Sequence, residues 1–340
     1  MSSENSVETI LVTGGLGYIG SNVAVDLANR GYNIVIIDNR YPDSNHSPKD
    51  QLIYSLITHP TSTVRIYHGD MRKDMSRIFQ LNKIDGVIHL AGYKSVSQSL
   101  DDPFLYYENN LQSTLNLLRL MREYGVSKLI FSSSCTVYRI HDGPIREDDP
   151  QEPSHPYGWT KSMIERIIGD MTAAGQLQAC SLRYFNPLGS DASHQLRDDP
   201  ADRPTNLFPV INEVLREERD CLEVFGGDWE TRDGTQVRDY IHIRDLSRAH
   251  ILAYQQLGWS VPDYETFNLG TGQGHTVMEV LNRCGEVLNV QIPYKIVGRR
   301  RGDVQSAVAD TSRAREVLGW SAELSLDDMI RDCVSASSSS

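Results

Sequence analysis

Short apolar runs alternate with amphipathic stretches through the first half of the chain. Most of these runs are rich in β-branched residues, which is typical of buried strands, and the stretches between them repeat apolar residues at helical spacing. Short strands alternating with helices indicate an α/β fold with a parallel sheet covered on both faces. The predicted strands are Thr9–Val12, Asn33–Asp38, Val64–His68, Gly86–Leu90, Lys128–Ser132 and Ala179–Tyr184, and the clearest predicted helices are Tyr18–Arg30, Pro103–Tyr124 and Tyr157–Ala174.

The alternation loosens in the second half, where Pro, Asp and Arg become dense and apolar runs become short. We therefore predict that residues 8–186 form a first domain, to which about 236–270 return. Residues 187–334 are predicted to form a second, smaller mixed α/β domain. The polar segment 1–7 and the Ser-rich segment 335–340 are predicted to be disordered, because so few apolar residues cannot offset the entropy of ordering.

Composition disfavours several classes of binding partner. The chain has 33 Lys and Arg against 45 Asp and Glu, a net charge of −12, and such a field repels nucleic acid and anionic membrane surfaces. No apolar run reaches the roughly 18 residues of a membrane span, and the first residues do not read as a secretory signal. Five cysteines without a CxxC pair favour neither a disulfide framework nor a metal site. We expect a reducing, cytoplasmic location, no metal, no nucleic acid and no membrane.

A glycine-rich turn follows the first predicted strand and opens the first predicted helix. Gly14, Gly17 and Gly20 have a GxxGxxG spacing. Glycine suits this place because the turn is tight and the backbone must approach a pyrophosphate, which the helix N-terminus then binds. An unrelated α/β protein with a glycine-rich turn is the alternative.

Asp38 ends the second predicted strand, about 20 residues further on, where a carboxylate binds the ribose 2′-hydroxyl of a dinucleotide. Together with the glycine turn it predicts a Rossmann-type doubly wound sheet. The acid would repel a 2′-phosphate, so NAD is predicted rather than NADP; nearby Arg40 is the one residue that argues for NADP. Asp70, after the third strand, is predicted near the adenine. A second interpretation, compatible with the first, makes it the N-cap of a helix over Met71–Phe79. His89 is expected to be a packed core residue.

Tyr157 and Lys161 stand at positions i and i+4 of a predicted helix and therefore share one face. A free phenol has a pKa near 10, and a neighbouring cation favours the phenolate, which makes Tyr157 a general base at neutral pH. The motif acquires weight because it follows the fifth strand of a dinucleotide fold. That strand ends in Ser132-Ser133-Ser134, where hydroxyls can orient a substrate alcohol, although such runs also occur in simple turns.

A set of segments in this order resembles the UDP-glucose 4-epimerases of the extended short-chain dehydrogenase/reductase superfamily. The resemblance covers roughly residues 8–330. The glycine turn and the YxxxK motif mark only the superfamily, whereas RYFNP, VRDYIH and YYENN are typical of nucleotide-sugar epimerases. The segments are TGGLGYIG, Asp38-Asn39, LAGYKSV, YYENN, FSSSCTVY, YGWTK, RYFNPLG, VRDYIH and RRRGD.

The resemblance implies a role for each matching residue. Tyr157 is then the base, Lys161 its partner and a ligand of the nicotinamide ribose, and Ser134 the hydrogen-bond partner of the sugar 4-hydroxyl. The other implied cofactor residues are Gly14, Gly17, Tyr18, Ile19, Gly20, Asp38, Asn39, Asp70, Met71, Lys94 and Asn109. The implied substrate residues, besides Ser134 and Tyr157, are Asn186, Asn206, Leu207, Phe225 at the uracil, Arg238, Arg300, Asp303 and Ala307.

Three positions bear on how this chain differs from the family. Arg139 stands where the family has glycine, near the substrate, and Cys135 replaces a usual alanine. Ala307 occupies the position at which a bulky aromatic residue blocks N-acetylated sugars, so the resemblance also implies use of UDP-GlcNAc and UDP-GalNAc.

The implied activity is the interconversion of UDP-galactose and UDP-glucose through a 4-keto intermediate, with transient hydride transfer to bound NAD. The family forms homodimers, here through Pro103–Tyr124 and Tyr157–Ala174. A UDP-glucuronate 4-epimerase or decarboxylase on the same fold, a plain dehydrogenase and a non-catalytic NAD-dependent sensor stay open. A 4,6-dehydratase is disfavoured, because it needs an acid pair where this chain has Ser134-Cys135-Thr136.

Overall fold

The computed structural model of the chain describes residues 7–39, 48–141, 143–198, 206–258 and 264–334. The predicted disordered tails 1–7 and 335–340, apart from Val7, lie outside the described residues, as does Arg40. Within the described ranges, no helix is long and apolar enough to cross a membrane.

The predicted strands and helices form, with bounds within two residues of the prediction. The strands are β1 (Thr9–Thr13), β2 (Asn33–Asp38), β3 (Val64–His68), β4 (Gly86–His89), β5 (Lys128–Ser134), β6 (Gln178–Tyr184), β7 (Asn186–Leu188), β8 (Leu222–Phe225), β9 (Val237–His242), β10 (Tyr264–Leu269), β11 (Gly274–Thr276), β12 (Tyr294–Val297) and β13 (Ser306–Ala307). The helices are α1 (Tyr18–Asn29), α2 (Pro48–Leu56), α3 (Ser76–Leu81), α4 (Val96–Asp101), α5 (Pro103–Glu123), α6 (Pro156–Ala173), α7 (Leu207–Leu215), α8 (Ile243–Gln256), α9 (Val277–Leu288), α10 (Ser312–Leu318) and α11 (Leu326–Val334).

The main sheet has seven strands in the order β10-β6-β5-β4-β1-β2-β3. Strand β1 pairs in parallel with both β2 and β4, so the chain winds outward in one direction to β3 and then returns past β1 to β4. The predicted doubly wound parallel sheet is thereby confirmed. Such sheets bind ligands where the winding direction reverses, at the carboxyl ends of the two strands beside the crossover.

Burial on both faces explains why the strands read as continuous apolar runs. Leu11 and Val35 pack into a core with residues of α3, α5 and α6. Ile10 and Val12 point to the opposite face because strand side chains alternate, and they are equally buried. The central strands are therefore buried on both faces, and they support the loops at the carboxyl edge of the sheet.

Contacts divide the chain into two compact units. Unit 1 contains the described residues of Met1–Ser133, His155–Leu182 and Ser247–Thr266, and unit 2 contains the rest. Unit 2 is built around β9, which pairs with β7, β11 and β13, and it also holds the two-stranded β8–β12 sheet and a core of its own. Contacts place Ser134–Ser154 in unit 2, whereas the predicted first domain includes this segment; its Val137 and Tyr138 pack in a unit 2 cluster. The predicted domain boundaries stay predictions.

Candidate active site

The turn after β1 is made of glycines because side chains do not fit there. Gly14 has a left-handed backbone with a φ of 68°, and its N–H donates to Ile37 O at 2.8 Å. A Cβ on Gly14 would lie 2.8 Å from Ala91 N, and one on Gly20 would collide with the Gly14 carbonyl oxygen. The turn therefore packs tightly against the chain that follows β4 and against the start of α1.

Helix α1 begins at this turn without a side-chain cap. Gly17 is its N-cap residue, and its first turn holds no acidic residue, so no carboxylate of the helix itself compensates the positive end of the helix dipole. Asp38 is 8% exposed at the end of β2 and accepts the Leu16 N–H at 3.0 Å. Exposed Asn39 follows it. A dinucleotide pyrophosphate fits the helix end and a ribose hydroxyl fits the carboxylate, so these residues fit NAD.

Asp70 is held by an arginine and caps no helix. Its carboxylate accepts Arg72 N at 2.9 Å and Arg72 Nη2 at 2.7 Å, and the side-chain bond from Arg72 lowers the pKa of Asp70. Because α3 begins only at Ser76, the alternative prediction of an N-cap for a helix over Met71–Phe79 is wrong. Met71 buries its side chain in the core of unit 1, which leaves its backbone for any ligand.

The loop after β4 is tied to the two helices α5 and α6 by Asn110. Its Oδ1 accepts Tyr93 N at 2.8 Å and Asn109 Nδ2 at 3.1 Å, and its Nδ2 donates to Thr160 Oγ1 at 3.1 Å. Asn109 is thus oriented by its neighbour, while Lys94 is exposed in the same loop. The cofactor roles of Asn109 and Lys94 stay predictions.

Tyr157 lies in the first turn of α6, between two rings. His155 is the N-cap residue, and its Nδ1 accepts Gly158 N at 3.1 Å. The His155 ring stacks on Tyr157 with a centroid distance of 5.9 Å, and Tyr106 meets Tyr157 edge-on at 6.4 Å. Burial lowers the pKa of His155 to about 4, so this cap is neutral near pH 7. The phenol ring therefore has a fixed orientation, with the side chain only half-buried.

Lys161 is 5% exposed, one turn after Tyr157. Its Nζ donates to Ser132 O at 2.6 Å and lies 4.9 Å from the centroid of the Phe131 ring and 5.9 Å from that of Tyr157. Burial lowers the pKa of Lys161 to about 8, and the carboxylate of Glu165 opposes that shift. The Lys161 side chain is therefore a charged ammonium at pH 7, and its pKa lies only slightly above that pH.

The serines at the end of β5 alternate in direction, as strand residues do. Ser133 Oγ donates to Glu165 Oε1 at 2.5 Å. Ser134 belongs to unit 2, and its Oγ accepts Thr136 N at 3.2 Å and Thr136 Oγ1 at 3.0 Å. Ser134 thus keeps its O–H as a donor.

Unit 2 gathers two guanidinium groups, a carboxylate and an aromatic ring, here called the arginine cluster (Phe225, Arg238, Arg300 and Asp303). Arg300 Nη2 donates to Asp303 Oδ1 at 2.9 Å, and its guanidinium carbon lies 5.1 Å from the centroid of the Phe225 ring. Arg238 donates to two backbone carbonyls; burial lowers its pKa and Asp303 opposes that shift. Asp303 Oδ2 is buried and finds no hydrogen-bond partner among the described residues. These groups suit a diphosphate, a hydroxyl donor and a planar base.

Strand β9 joins two further predicted substrate residues to this cluster. Ala307 on β13 pairs with Arg238, and Asn186 on β7 pairs with Tyr240 two residues further along β9. Ala307 is buried at 4% exposure. Register thus places Ala307 directly beside Arg238, whereas Asn186 lies two residues further along β9, beside Tyr240.

The other predicted substrate residues and the two family departures lie elsewhere in unit 2. Asn206 and Leu207 stand at the N-cap and first position of α7. Arg139 forms an exposed ion pair with Glu152. Burial raises the pKa of the Cys135 thiol to about 12, so it stays protonated.

Comparison with known proteins shows the family to which the chain belongs. The NAD dependent epimerase/dehydratase family matches residues 10–270. The chain belongs to this family. It is 43% identical to a UDP-glucose 4-epimerase of Dictyostelium discoideum over 329 residues, 96% of this chain and 94% of that protein.

Solved structures of this family are similar over nearly the whole chain. A UDP-glucose 4-epimerase of Bifidobacterium longum in complex with NAD+ and UDP has a TM-score of 0.89 and 41% identity, covering 96% of this chain and 97% of that one. One from Stenotrophomonas maltophila, with bound NAD and formylated UDP-arabinopyranose, has a TM-score of 0.89 and 39% identity, with 96% of each chain covered. The predicted resemblance to UDP-glucose 4-epimerases is confirmed.

Sequence reasoning missed several residues of the candidate site. Glu165, Tyr106, His155 and Asn110 contact or orient the residues that were assigned roles. Glu165 and His155 lie outside the quoted segments, whereas Tyr106 and Asn110 lie in the YYENN segment without an assigned role. Asn110 had a signal, because it doubles the Asn of the YYENN segment, and His155 directly precedes the proline that begins α6. His89 is a core residue as predicted, bonded to two threonine hydroxyls.

Proposed function

We propose that this chain is an NAD-dependent UDP-glucose 4-epimerase, an isomerase that interconverts UDP-galactose and UDP-glucose. One observation carries the proposal: a buried ammonium, Lys161 Nζ, lies 5.9 Å from the centroid of the Tyr157 ring in the unit that also holds the glycine turn. The similarity to UDP-glucose 4-epimerases over nearly the whole chain supports the choice of substrate.

The cofactor is held by the backbone of Gly14–Gly20 and by Asp38, with Lys161 at the nicotinamide ribose. NAD supplies, when bound, reversible acceptance of a hydride from C4 of the sugar. The residues of the chain supply the rest: a proton acceptor and the polar groups that bind the nucleotide.

Tyr157 takes the proton of the sugar 4-hydroxyl and later returns it to the 4-keto oxygen. The phenolate that this requires is stabilised by the Lys161 ammonium, because a nearby positive charge favours the charged form of a phenol. His155 and Tyr106 restrict the ring to one orientation. Ser134 donates its hydroxyl hydrogen to the sugar 4-oxygen.

The arginine cluster holds the UDP moiety. Arg238 and Arg300 neutralise the diphosphate, Phe225 packs on the uracil, and Asp303 Oδ2 accepts a ribose hydroxyl, which satisfies a buried oxygen that otherwise lacks a partner. Charged contacts at UDP and few contacts at the sugar let the 4-keto sugar rotate and present its other face while the nucleotide stays bound. Inversion of the configuration at C4 requires that rotation.

The test begins with the purified protein. Co-purified NAD is identified by its absorbance after release, and UDP-galactose is then offered beside UDP-galacturonate in parallel reactions. We expect conversion of UDP-galactose to UDP-glucose without net NADH in solution. Stoichiometric NADH would indicate a plain dehydrogenase, preference for UDP-galacturonate a uronate enzyme, and absence of any turnover with NAD present a sensor.

Ala307 sets the sugar range in this proposal, so UDP-GlcNAc and UDP-GalNAc are substrates as well. Its side chain is a single methyl group beside Arg238, which leaves room for an N-acetyl group. Ala307→Tyr should abolish turnover of the N-acetylated sugars and keep that of UDP-galactose within a few-fold. Equal loss of both activities would contradict this role.

A homodimer through α5 and α6 belongs to the same proposal. Four large apolar side chains are exposed on these two helices: Phe104 at 72%, Leu115 at 50%, Met163 at 40% and Trp159 at 38%. Apolar side chains exposed on neighbouring helices are typical of protein contacts. Light scattering on the wild type and on Phe104→Glu should give the mass of a dimer and of a monomer, respectively.

The cytoplasm is the proposed location. All five cysteines are free, and burial keeps several of them as unreactive thiols, as expected in a reducing compartment. Fractionation of cells that express the tagged chain checks this.

A further inference from the structure

Helix α6 carries a buried carboxylate one turn beyond Lys161. Glu165 is 3% exposed, and Ser133 Oγ donates to its Oε1 at 2.5 Å. Burying an ionised carboxylate is costly unless it is paired. A carboxylate four residues after a buried ammonium on one helix face meets that need and serves the ammonium as well.

The charges around Lys161 can be followed element by element. On β4, His89 is fully buried, and burial together with Lys161 lowers its pKa to about 3, so it faces Lys161 as a neutral ring. On β5, Lys161 meets the Ser132 carbonyl oxygen and the Phe131 ring, which carry no net charge. On α6 itself it meets the Tyr157 ring and Glu165.

On α5 the neighbouring polar groups are uncharged. Thr114 Oγ1 bonds to His89 Nε2 at 2.9 Å, and Asn110 Nδ2 bonds to Thr160 Oγ1. Among the described residues, Glu165 is thus the carboxylate whose charge acts on Lys161.

We propose that Glu165 is a positioning residue for the epimerase reaction: its carboxylate, fixed by the Ser133 hydroxyl, holds Lys161 in the charged form beside Tyr157. This role rests on the proposed function, since it matters to turnover only if Tyr157 is the base. Ser133 thereby has a task distinct from that of Ser134, although the two are adjacent in sequence.

The proposal predicts a shift in the alkaline limb of turnover. Burial brings the pKa of Lys161 to about 8 with Glu165 present. Loss of a neighbouring opposite charge typically moves a pKa by about one to three units, so Glu165→Gln should move it to about 7 or below. If turnover follows the charged fraction of Lys161, kcat falls about fivefold at pH 8 and stays within about 1.2-fold at pH 6 for a one-unit shift.

A set of variants separates charge from shape. Glu165→Gln keeps the shape and removes the charge, whereas Glu165→Asp keeps the charge and shortens the side chain. The matched control is Asp170→Asn on the same helix, whose carboxylate is 63% exposed and pairs with Arg166. The kcat and KM for UDP-galactose are measured from pH 6 to pH 10. We expect an acid shift of the alkaline limb in Glu165→Gln alone, with KM within twofold; a shift in Glu165→Asp but not in Glu165→Gln would overturn the proposal.

A second readout needs no substrate. A buried lysine with a lowered pKa makes the fold more stable as pH rises through that pKa, because the unfolded chain holds the proton longer. In Glu165→Gln the rise in stability should therefore begin about one pH unit lower than in the wild type. If a folded Glu165→Gln variant showed the same onset pH for the rise in stability as the wild type, the role of Glu165 would be overturned whether or not the chain is an epimerase. If the wild type had no epimerase activity, only the proposed function would be overturned.

Discussion

Replacing Lys161 by Met should change how the stability of the protein depends on pH. The pKa of Lys161 falls from 10.5 to about 8 on folding, because burial removes water from the ammonium. At about 1.36 kcal/mol per unit, this shift corresponds to about 3 kcal/mol of destabilisation. At 5% exposure the side chain has almost no solvent to screen that cost.

The sign follows from proton counts. Between pH 8 and 10.5 the unfolded chain keeps the Lys161 proton that the folded chain has lost, so stability rises with pH in this window. Below pH 8 both states are protonated and the whole cost is present. The wild type should therefore gain about 2 kcal/mol relative to Lys161→Met between pH 7.5 and 9.5.

Below pH 8 the variant also loses favourable contacts. The ammonium donates to Ser132 O and lies over the Phe131 ring, and a charged hydrogen bond of this kind contributes about 1.5–3 kcal/mol. This loss offsets most of the gain from removing the buried charge. Lys161→Met should thus be about as stable as the wild type at pH 7 while its turnover falls steeply.

Urea unfolding of both proteins at the two pH values measures the difference. Lys83→Met is the matched control, since the Lys83 side chain is 81% exposed, and its difference from the wild type should not vary with pH. A wild-type advantage that is the same at pH 7.5 and 9.5 would refute the assignment of a lowered pKa to Lys161.

Three further predictions concern the two sites. Tyr157→Phe should lower kcat by about 10²–10⁴-fold and leave the affinity for UDP, measured by calorimetry, within twofold, because only the proton acceptor is lost; near-normal turnover would exclude Tyr157 as the base. Arg238→Ala should raise KM for UDP-galactose by about tenfold or more with a smaller change in kcat, since a guanidinium of the diphosphate site is removed; an unchanged KM would contradict its placement. Gly20→Ala should cost NAD occupancy, seen as loss of co-purified cofactor, because its Cβ meets the Gly14 carbonyl; full occupancy would show that the turn can move aside.

Much of unit 1 could be predicted because the responsible interactions are local. Strand and helix bounds follow from apolar periodicity, which neighbouring residues carry together. The glycine turn is equally local, since the left-handed φ of Gly14 and the lack of room at Gly20 are demands on those positions themselves. The order of the strands then follows from the rules of doubly wound sheets.

Prediction from local sequence pattern failed for polar side chains whose hydrogen-bond partner is distant in the chain or is a neighbouring side chain that folds back onto them. Asp70 reads as a helix cap, but the Arg72 guanidinium folds onto it and the helix starts later. Ser133 and Ser134 read alike, yet they belong to different units and only Ser133 meets Glu165.

The sequence by itself determined the main strands and helices of the first half of the chain, the doubly wound sheet, the glycine turn and the pairing of Tyr157 with Lys161 on one helix face. Only the tertiary structure decided that Lys161 is dry enough to titrate near neutral pH, that two rings clamp Tyr157, and that Asp303 keeps a buried oxygen for a donor. The physical reason is that periodicity and backbone demands belong to neighbours in the chain, whereas desolvation and counter-charge depend on every group that packing brings near.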